Sequence, residues 1–161
     1  NLPASKKMCE PLYQAITNDI MPKYHLPNHQ GYINIIAGEY NNIQGKAETQ
    51  TPINLLDAHL SKNSTIHFSF EKHHNTALLL IEGSIKINQT QIIPCNHFVV
   101  FENNHEVFEL EALENAVILI MSGEPINEPI YPYGPFLMNT KDEIEQAYTD
   151  YRQGLFGYLE D

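Results

Sequence analysis

Residues 75–88 read NTALLLIEGSIKIN, and this stretch decides the class of fold. The five apolar residues at 77–81 are too few to span a membrane, and they fit a strand that is covered on both faces. After a Glu-Gly-Ser turn, Ile85 and Ile87 alternate with polar residues, as in a strand with one exposed face. Gly83 can take the positive φ that a tight turn requires. The stretch therefore predicts a central strand that turns at 82–84 into a half-exposed neighbour.

Short apolar runs of the same kind lie on both sides of this stretch. They are rich in Val, Ile and Phe and are separated by Gly, Pro and Asn, a pattern typical of all-β domains. The predicted strands are residues 32–37, 53–60, 65–70, 77–82, 85–88, 97–101, 106–110 and 116–121. This number and spacing of strands favour a sandwich or barrel of the jelly-roll type.

The first 30 residues form a different kind of segment. Pro3, Pro11, Pro22 and Pro27 interrupt a polar stretch, and each proline discourages helix in the residue before it. About 30 residues of such material is long for a connection inside a compact domain. We therefore predict that residues 1–30 are an extended connector from a preceding domain and that residues 31–123 form the barrel.

Residues 124–161 are predicted to form a proline-rich strap followed by one helix. Prolines keep the strap out of a sheet interior, so it should lie over the barrel and bury its apolar residues, which are Ile126, Ile130, Phe136, Leu137 and Met138. A capping box from Thr140 to Glu143 marks the start of the helix, and Gly154 marks its end. Between them, apolar residues follow at helical spacing: Ile144, Ala147, Tyr148 and Tyr151.

The composition limits the possible environments and partners. The chain has 161 residues, of which 42% are hydrophobic, enough for one domain with a sizeable core. A formal net charge of −11 repels phosphate backbones and anionic lipid, so we expect neither direct nucleic-acid binding nor membrane association. No apolar run approaches the roughly 20 residues that cross a bilayer. Cys9 and Cys95 are too few for a disulfide framework and fit unpaired thiols in the cytoplasm.

The most specific motifs follow the predicted barrel. Residues 123–129 read GEPINEP and residues 134–140 read GPFLMNT. These motifs resemble the C-terminal half of pirin-family proteins, which are two-domain cupins, and the resemblance includes Glu143, Ile144, Ala147, the 1–3 NLP sequence, Met8, Pro11 and Tyr13. It implies an all-β fold, a cupin-type jelly-roll β-barrel with an N-terminal extended segment and one C-terminal α-helix. Residues 1–3 resemble the family's sequence at the point where the chain leaves its N-terminal cupin.

The resemblance also bears on metal binding. Cupin enzymes hold a divalent metal through an H-x-H pair, a following acid and a later histidine, and iron is the metal associated with pirins. Aligning residues 77–83 with the strand after that motif puts Ser69 and Glu71 at the two histidine positions, with Asn75 near the acid. Phe108 or Glu109 stands where the later histidine would be. We therefore expect no catalytic, cofactor-binding or metal-binding residue in this chain, and iron in an N-terminal cupin outside it.

The histidines of the chain leave one alternative open. His67, His97 and His105 are predicted to lie on the surface or to be held by hydrogen bonds, and adjacent histidines such as His73 and His74 point to opposite faces of a strand. The alternative is a rearranged metal site formed by Glu71, His73, His74 and His59. Nucleophilic catalysis has no candidate, because neither a G-x-S-x-G elbow nor a phosphate-binding glycine loop occurs.

Three functions compete. In the first, the chain is the metal-free half of a pirin-like parent that resembles an iron-dependent quercetin 2,3-dioxygenase, is itself inactive, and packs against the N-terminal cupin. In the second, it is a protein-binding regulatory module of the transcription-cofactor kind. In the third, it is an autonomous cupin with the rearranged metal site. We also predict that the isolated half forms a homodimer through the C-terminal helix or strap, because it would expose apolar surface that it normally buries.

Overall fold

The computed structural model describes residues 1–157, which form two compact units. The larger unit is Tyr13–Pro125, and the smaller one combines Asn1–Leu12 with residues 126–157. In chain order the larger unit contains β1 (Lys23–His25), β2 (Gly31–Ala37), β3 (Glu39–Tyr40), β4 (Ile43–Gln44), β5 (Ile53–Leu60), β6 (Thr65–Ser69), β7 (Asn75–Glu82), β8 (Ser84–Ile87), β9 (Gln91–Pro94), β10 (His97–Val100), β11 (Val107–Ala112) and β12 (Ala116–Gly123).

Ten of these strands form two antiparallel sheets that enclose the core. The six-stranded sheet has the order β1-β2-β5-β12-β7-β10, and the four-stranded sheet has the order β6-β11-β8-β9. Alternate side chains on most strands are buried, as on Thr65–Ser69, where Ile66 and Phe68 point inward while His67 points to solvent. The predicted all-β, jelly-roll architecture is therefore confirmed.

The structure corrects the predicted turn at Gly83. The strands β7 and β8 do not pair as a hairpin, because β7 belongs to the six-stranded sheet and β8 to the four-stranded one. Gly83 has a φ of 79°, and a Cβ atom added there would lie 2.2 Å from the carbonyl oxygen of Asn115. Only glycine allows both this conformation and this approach. Gly83 therefore marks the corner at which the chain passes from one sheet to the other.

The structure also corrects the expectation that β7 is covered on both faces. Thr76, Leu78 and Leu80 are buried in the barrel, but Ala77 and Leu79 on the opposite face are only half-buried. Ile81 lies on that outer face too and is 44% exposed. The outer face of the six-stranded sheet is thus apolar and partly open to solvent.

The N-terminal stretch differs from a simple connector. Within residues 1–30, which we expected to be extended, β1 pairs antiparallel with β2 and adds an edge strand to the barrel. Two short 3₁₀ turns also lie here, at Ala4–Lys6 and Pro27–His29. Gln14 is held to the barrel, since its side chain bonds the backbone of Lys46 and Glu48. A strand of three residues carries too little periodicity to be recognised in a sequence.

The smaller unit contains a hairpin and the predicted helix. The hairpin joins β13 (Tyr131–Tyr133) to β14 (Phe136–Met138), so the expected strap folds back on itself at Gly134. It does not bury all its apolar residues as predicted, because Ile130 is 62% exposed and Leu137 is also exposed. Phe136 is half-buried, and its ring centroid lies 4.9 Å from that of Tyr148 on the helix. The predicted strap is therefore a two-stranded hairpin that packs an aromatic ring against the helix.

The helix α1 (Lys141–Arg152) begins with the predicted capping box. The Thr140 hydroxyl oxygen accepts a hydrogen bond from the Glu143 backbone N–H at 3.3 Å, and Glu143 Oε2 accepts bonds from the backbone N–H groups of Thr140 and Asn139 at 2.8 and 2.9 Å. Burial alone would raise the pKa of Glu143, but these bonds lower it.

No helix in the described part of the chain is long and apolar enough to cross a membrane.

Replacing Thr140 with alanine is expected to destabilise this helix by about 1 kcal/mol, because it leaves an N-terminal N–H group without its acceptor. Native-state amide hydrogen exchange in α1 would measure the effect. The matched control is Thr149→Ala, since among residues 1–157 the Thr149 hydroxyl bonds only the carbonyl of Glu145 inside the same helix. Equal protection in the two variants would show that the cap contributes nothing.

The contribution of Glu143 to helix stability should also fall as the pH drops through its lowered pKa, because protonation removes the carboxylate acceptor.

Tyr40 connects β3 to the edge of the four-stranded sheet. Its hydroxyl donates a hydrogen bond to the carbonyl oxygen of His67 at 3.1 Å, which links β3 to the edge strand β6. Its ring centroid lies 5.4 Å from those of Tyr24 and Phe68. Burial, assisted by Tyr24, raises the pKa of Tyr40 to about 12. The tyrosinate form is therefore disfavoured in the folded state.

A spectrophotometric titration should reveal this tyrosine as a late ionisation near pH 12. The raised pKa means that the Tyr40 contribution to stability is complete below the unfolded value of about 10 and is lost as the pH rises through the folded value. Tyr40→Phe should remove the late phase, whereas Tyr133→Phe, which alters an exposed ring, should leave it in place. A late phase that persists in Tyr40→Phe would assign it to another tyrosine.

Candidate functional site

Two cavities open at one mouth of the barrel. Their volumes are about 80 and 220 Å³, and both are lined by Phe70, Glu71, His74 and Glu106. The shared lining shows that the two cavities meet at these residues. Clefts with a few converging polar groups are the usual places for ligands, so this mouth is the candidate site.

Backbone pairing explains why these residues meet. The strands β6 and β11 pair with Ser69 opposite Val107, and just beyond them the Phe70 N–H donates to the carbonyl of Glu106 at 2.9 Å. Beyond Phe70 the chain turns, and the His74 N–H donates to the carbonyl of Glu71 at 2.9 Å. The turn therefore places Glu71 and His74 beside Glu106, although Glu106 is far away in the sequence.

His74 forms the buried end of a short hydrogen-bond chain. It is only 6% exposed. The Thr76 hydroxyl donates to Ser122 Oγ at 3.1 Å, and Ser122 Oγ lies 3.4 Å from His74 Nδ1. Since the Ser122 oxygen accepts from Thr76, its own hydrogen is free to point at Nδ1. Ser122 Oγ therefore lies between the Thr76 hydroxyl and the His74 ring and connects the two strands to the imidazole.

The mouth has a strongly acidic lining. Around the two cavities stand the carboxylates of Glu39, Glu71, Glu102 and Glu106. Within residues 1–157, no lysine or arginine lines either cavity. The local field is therefore negative and favours cationic ligands over anionic ones.

The residues at the predicted histidine positions do reach the mouth. Ser69 and Glu71 both line the larger cavity. Asn75 instead accepts a hydrogen bond from Asn103 at 3.1 Å and lines neither cavity. Of the two residues considered for the later histidine, Phe108 lines the smaller cavity, while Glu109 lies 3.0 Å from the exposed His67.

His59 lies far from the other alternative ligands. The strand register places it opposite Val117, whereas His74 immediately precedes Asn75, which pairs with Gly123 at the other end of β12. Six residues along a strand correspond to about 20 Å. His59 instead bonds Asp57 at 3.0 Å and stacks on Tyr32. The four candidates Glu71, His73, His74 and His59 are thus not brought together around one point.

Three further histidines considered from the sequence are exposed. His73 is exposed, and its ring meets that of His74 edge-on at 4.8 Å. His97 is exposed on the edge strand β10, where its Nδ1 lies 3.0 Å from the carbonyl of Cys95. His105 is also exposed and lines the smaller cavity.

Several residues of the mouth were missed from the sequence. Thr76 and Ser122 carry a usable signal, because each is a polar residue at an inward position of an otherwise apolar strand. Their direct pairing across β7 and β12 follows from the register. Glu39, Asn54 and Glu106 carry no such signal, since they lie at strand ends whose pairing is set by the whole fold.

The donor set does not fit a cupin iron site. Non-haem iron sites of this kind need two imidazoles and a carboxylate that converge on one point. In the part of the chain that the structure describes, no group of three or more His, Cys, Asp or Glu side chains is placed to hold a metal ion. The described lining offers hydrogen-bonding groups and negative charge.

Comparison with known proteins gives a consistent picture. Pirin of Homo sapiens is 32% identical over 98% of this chain and 55% of its own length, and a pirin-like protein of Solanum lycopersicum is 34% identical over 98% and 55%. The crystal structure of quercetin 2,3-dioxygenase from Acinetobacter baumannii is 36% identical, with a TM-score of 0.90 over 99% of this chain and 56% of that one. The chain spans about half the length of the curated relatives it matches.

A family model described as the pirin C-terminal cupin domain matches residues 55–157, most of the described chain. The matched part contains β6, three of the four carboxylates of the mouth (Glu71, Glu102 and Glu106), the sheet corner at Gly83, and the capped helix α1. The resemblance noted in the sequence is therefore confirmed. The chain belongs to the pirin family, as a C-terminal cupin domain.

Proposed function

We propose that this domain is the non-catalytic, metal-free cupin half of a longer pirin-family protein. In this proposal the iron and the catalytic histidines of a quercetin 2,3-dioxygenase-type reaction lie in the N-terminal cupin. Support for the reaction class comes from the 36% identity to the Acinetobacter baumannii structure of that name. Support for a further domain comes from the relatives, of which this chain spans about half.

The observation that carries the proposal is the chemistry of the mouth. The larger cavity presents the Ser69 hydroxyl and the Glu71 carboxylate at the positions that the family resemblance assigns to two metal-binding imidazoles. A hydroxyl is a poor ligand for ferrous iron compared with an imidazole. The only buried imidazole at this mouth among the described residues, His74, is engaged with Ser122 through Nδ1.

The smaller unit supports a packing role toward a partner cupin. Its described segments expose several large apolar side chains, including Met8, Ile130, Tyr133, Tyr151 and Phe156. Apolar side chains grouped on a surface usually mark an interaction site. We infer that the N-terminal cupin covers them in the longer protein, and that two copies of the isolated chain associate through the helix or the hairpin.

A second candidate is a regulatory, protein-binding module without catalysis. The observation that favours it lies on the edge strand β10, where Phe98 and Val100 are 59% and 69% exposed. An open strand edge with apolar side chains can accept a strand from another protein.

For both candidate functions we propose a cytoplasmic location, since Cys9 and Cys95 are both exposed and free.

Flavonol consumption under oxygen tests the proposal. The iron-loaded longer protein should consume a flavonol such as quercetin, whereas residues 1–161 alone, loaded in the same way, should not. Turnover by residues 1–161 alone would overturn the non-catalytic assignment. Absence of turnover in the longer protein, with iron bound, would instead remove the dioxygenase part and favour the regulatory module.

A further inference from the structure

The outer face of the six-stranded sheet is apolar across four neighbouring strands. The strand register sets two rows of outward side chains beside each other, Leu55-Met121-Ala77-Val100 and Leu119-Leu79-Phe98. None of these side chains is charged, and each is half-buried or exposed. The nearest charged residue, Asp57, lies beyond Leu119 in the second row, where it bonds Asn34 and His59. We call the seven residues of the two rows the outer patch.

The sequence of the strands under the outer patch suits a covered surface. The segments 77–81, ALLLI, and 116–121, AVILIM, are apolar at inward and outward positions alike. Strands with one face in water normally alternate, as β8 does, where the outward positions carry Ser84 and Lys86. Yet Phe98 and Val100 at the edge of the outer patch are largely exposed among the described residues. The apolar outward positions therefore indicate a partner that covers this face.

The shape and charge of the outer patch define the chemistry of that partner. A charged or strongly polar surface would lose its hydration there without finding a counter-charge. A second sheet meets the requirement, because two sheets pack face to face about 10 Å apart with their apolar side chains interdigitated. The partner that fits is thus the apolar face of another β-barrel.

We propose that the outer patch is the docking surface for the N-terminal cupin of the longer protein. This inference rests on the proposed function, because it requires a second cupin in the same protein. The chain covers 54% of the Pseudomonas aeruginosa relative and 55% of human pirin, so nearly half of each lies outside the matched part. A segment of that length is enough for a second barrel with its own sheet faces. The outer patch is then an internal interface of the longer protein.

Hydroxyl-radical footprinting of the longer protein and of residues 1–161 measures the cover directly. Both proteins are labelled at a dilution at which sedimentation shows residues 1–161 to be monomeric. Oxidation of Phe98 and Met121 should be severalfold slower in the longer protein. Ile92, which is exposed on β9 of the four-stranded sheet, should react equally in both. Equal oxidation of Phe98 and Met121 in the two proteins would overturn the proposal.

Two other patterns of labelling would overturn it as well. Slower oxidation of Phe98 without slower oxidation of Met121 would indicate a strand added to the edge of β10, since Met121 lies two strands further in. Protection of both residues that appears only as the concentration of the longer protein rises would assign the outer patch to a second copy.

A charge placed in the outer patch tests its contribution to stability. Phe98→Asp should lower the melting temperature of the longer protein by about 5 °C or more, because an unpaired carboxylate is costly to bury. The same change should have little effect in residues 1–161, where Phe98 is 59% exposed. Ile92→Asp, at a residue that is 61% exposed, is the matched control and should shift neither protein appreciably. Equal shifts for the two substitutions in the longer protein would contradict the proposal, and Val100→Asp repeats the test if Phe98→Asp does not fold.

The docking surface and the proposed reaction fail separately. Flavonol turnover by the longer protein with Phe98 and Met121 unprotected would overturn the docking surface alone. Protection of both side chains without turnover would uphold the docking surface and remove only the dioxygenase part of the proposed function.

Discussion

Phe68→Ala is expected to lower the free energy of unfolding by about 3–5 kcal/mol, because it removes a large ring from the centre of the core. Phe68 is 0% exposed, and its ring centroid lies 5.4 Å from those of Tyr40 and Phe108 and 6.3 Å from that of Phe70. The aromatic cluster extends from Phe70 and Phe108, which line the mouth of the barrel, to Tyr40 on β3. The cavity left by alanine cannot be filled by a neighbour without moving one of them.

Urea denaturation followed by far-ultraviolet circular dichroism measures this loss. Phe98→Ala is the matched control, because Phe98 is 59% exposed on the edge strand β10 and its removal should cost less than about 1 kcal/mol. If Phe68→Ala does not fold, Phe68→Leu provides a milder change with a measurable loss. A Phe68→Ala protein as stable as the Phe98 variant would show that the aromatic cluster does not hold the sheets together.

Gly83→Ala is also expected to lower the free energy of unfolding strongly. It tests whether the corner between the two sheets requires glycine. The φ of 79° costs an alanine about 1–2 kcal/mol, and the 2.2 Å approach to the Asn115 carbonyl oxygen adds a backbone clash that no side-chain rotation relieves. We expect a loss of at least about 3 kcal/mol in the free energy of unfolding, or a protein that does not fold.

The chain offers a close control for this substitution. Gly157 has the same φ of 79°, but a Cβ atom added there would meet no atom of the described residues within 4 Å. Gly157→Ala therefore carries at most the conformational cost without the clash. The difference between the two variants in thermal or urea unfolding gives the cost of the contact with Asn115. A difference near zero would mean that the corner at Gly83 is free to rearrange.

The same glycine shows where sequence reasoning succeeds and where it stops. Alternation in the SIKI segment predicted the buried side of β8 correctly, since Ile85 and Ile87 are both buried. The turn signal at Gly83 was also correct, because its φ is positive. A hairpin and a corner between sheets share this local signal, however, and only the pairing of β8 with β9 and β11 distinguishes them. The pairing with β9 is itself local, but the pairing with β11 joins residues about 25 positions apart in the sequence, as in Lys86 opposite Glu111.

Local signals also limited what could be predicted about the mouth. The capping box at Thr140 was recognised because all its partners lie within four residues. The meeting of Glu71 with Glu106 was not, because it requires the register between β6 and β11. The position of His59 illustrates the same limit. Only the pairing of β5 and β7 with β12 shows that His59 and His74 lie near opposite ends of β12.

The metal content of the purified chain tests the central claim most directly. After equilibration with ferrous, nickel or zinc ions and removal of the excess, mass spectrometry should find far less than one ion per chain. This follows because Ser69 and Glu71 do not supply the imidazoles that an iron cupin needs, and the described residues hold no other group of ligands. One tightly held ion per chain, lost in Glu71→Gln and retained in Glu114→Gln, which changes an exposed glutamate that lines neither cavity, would contradict the account.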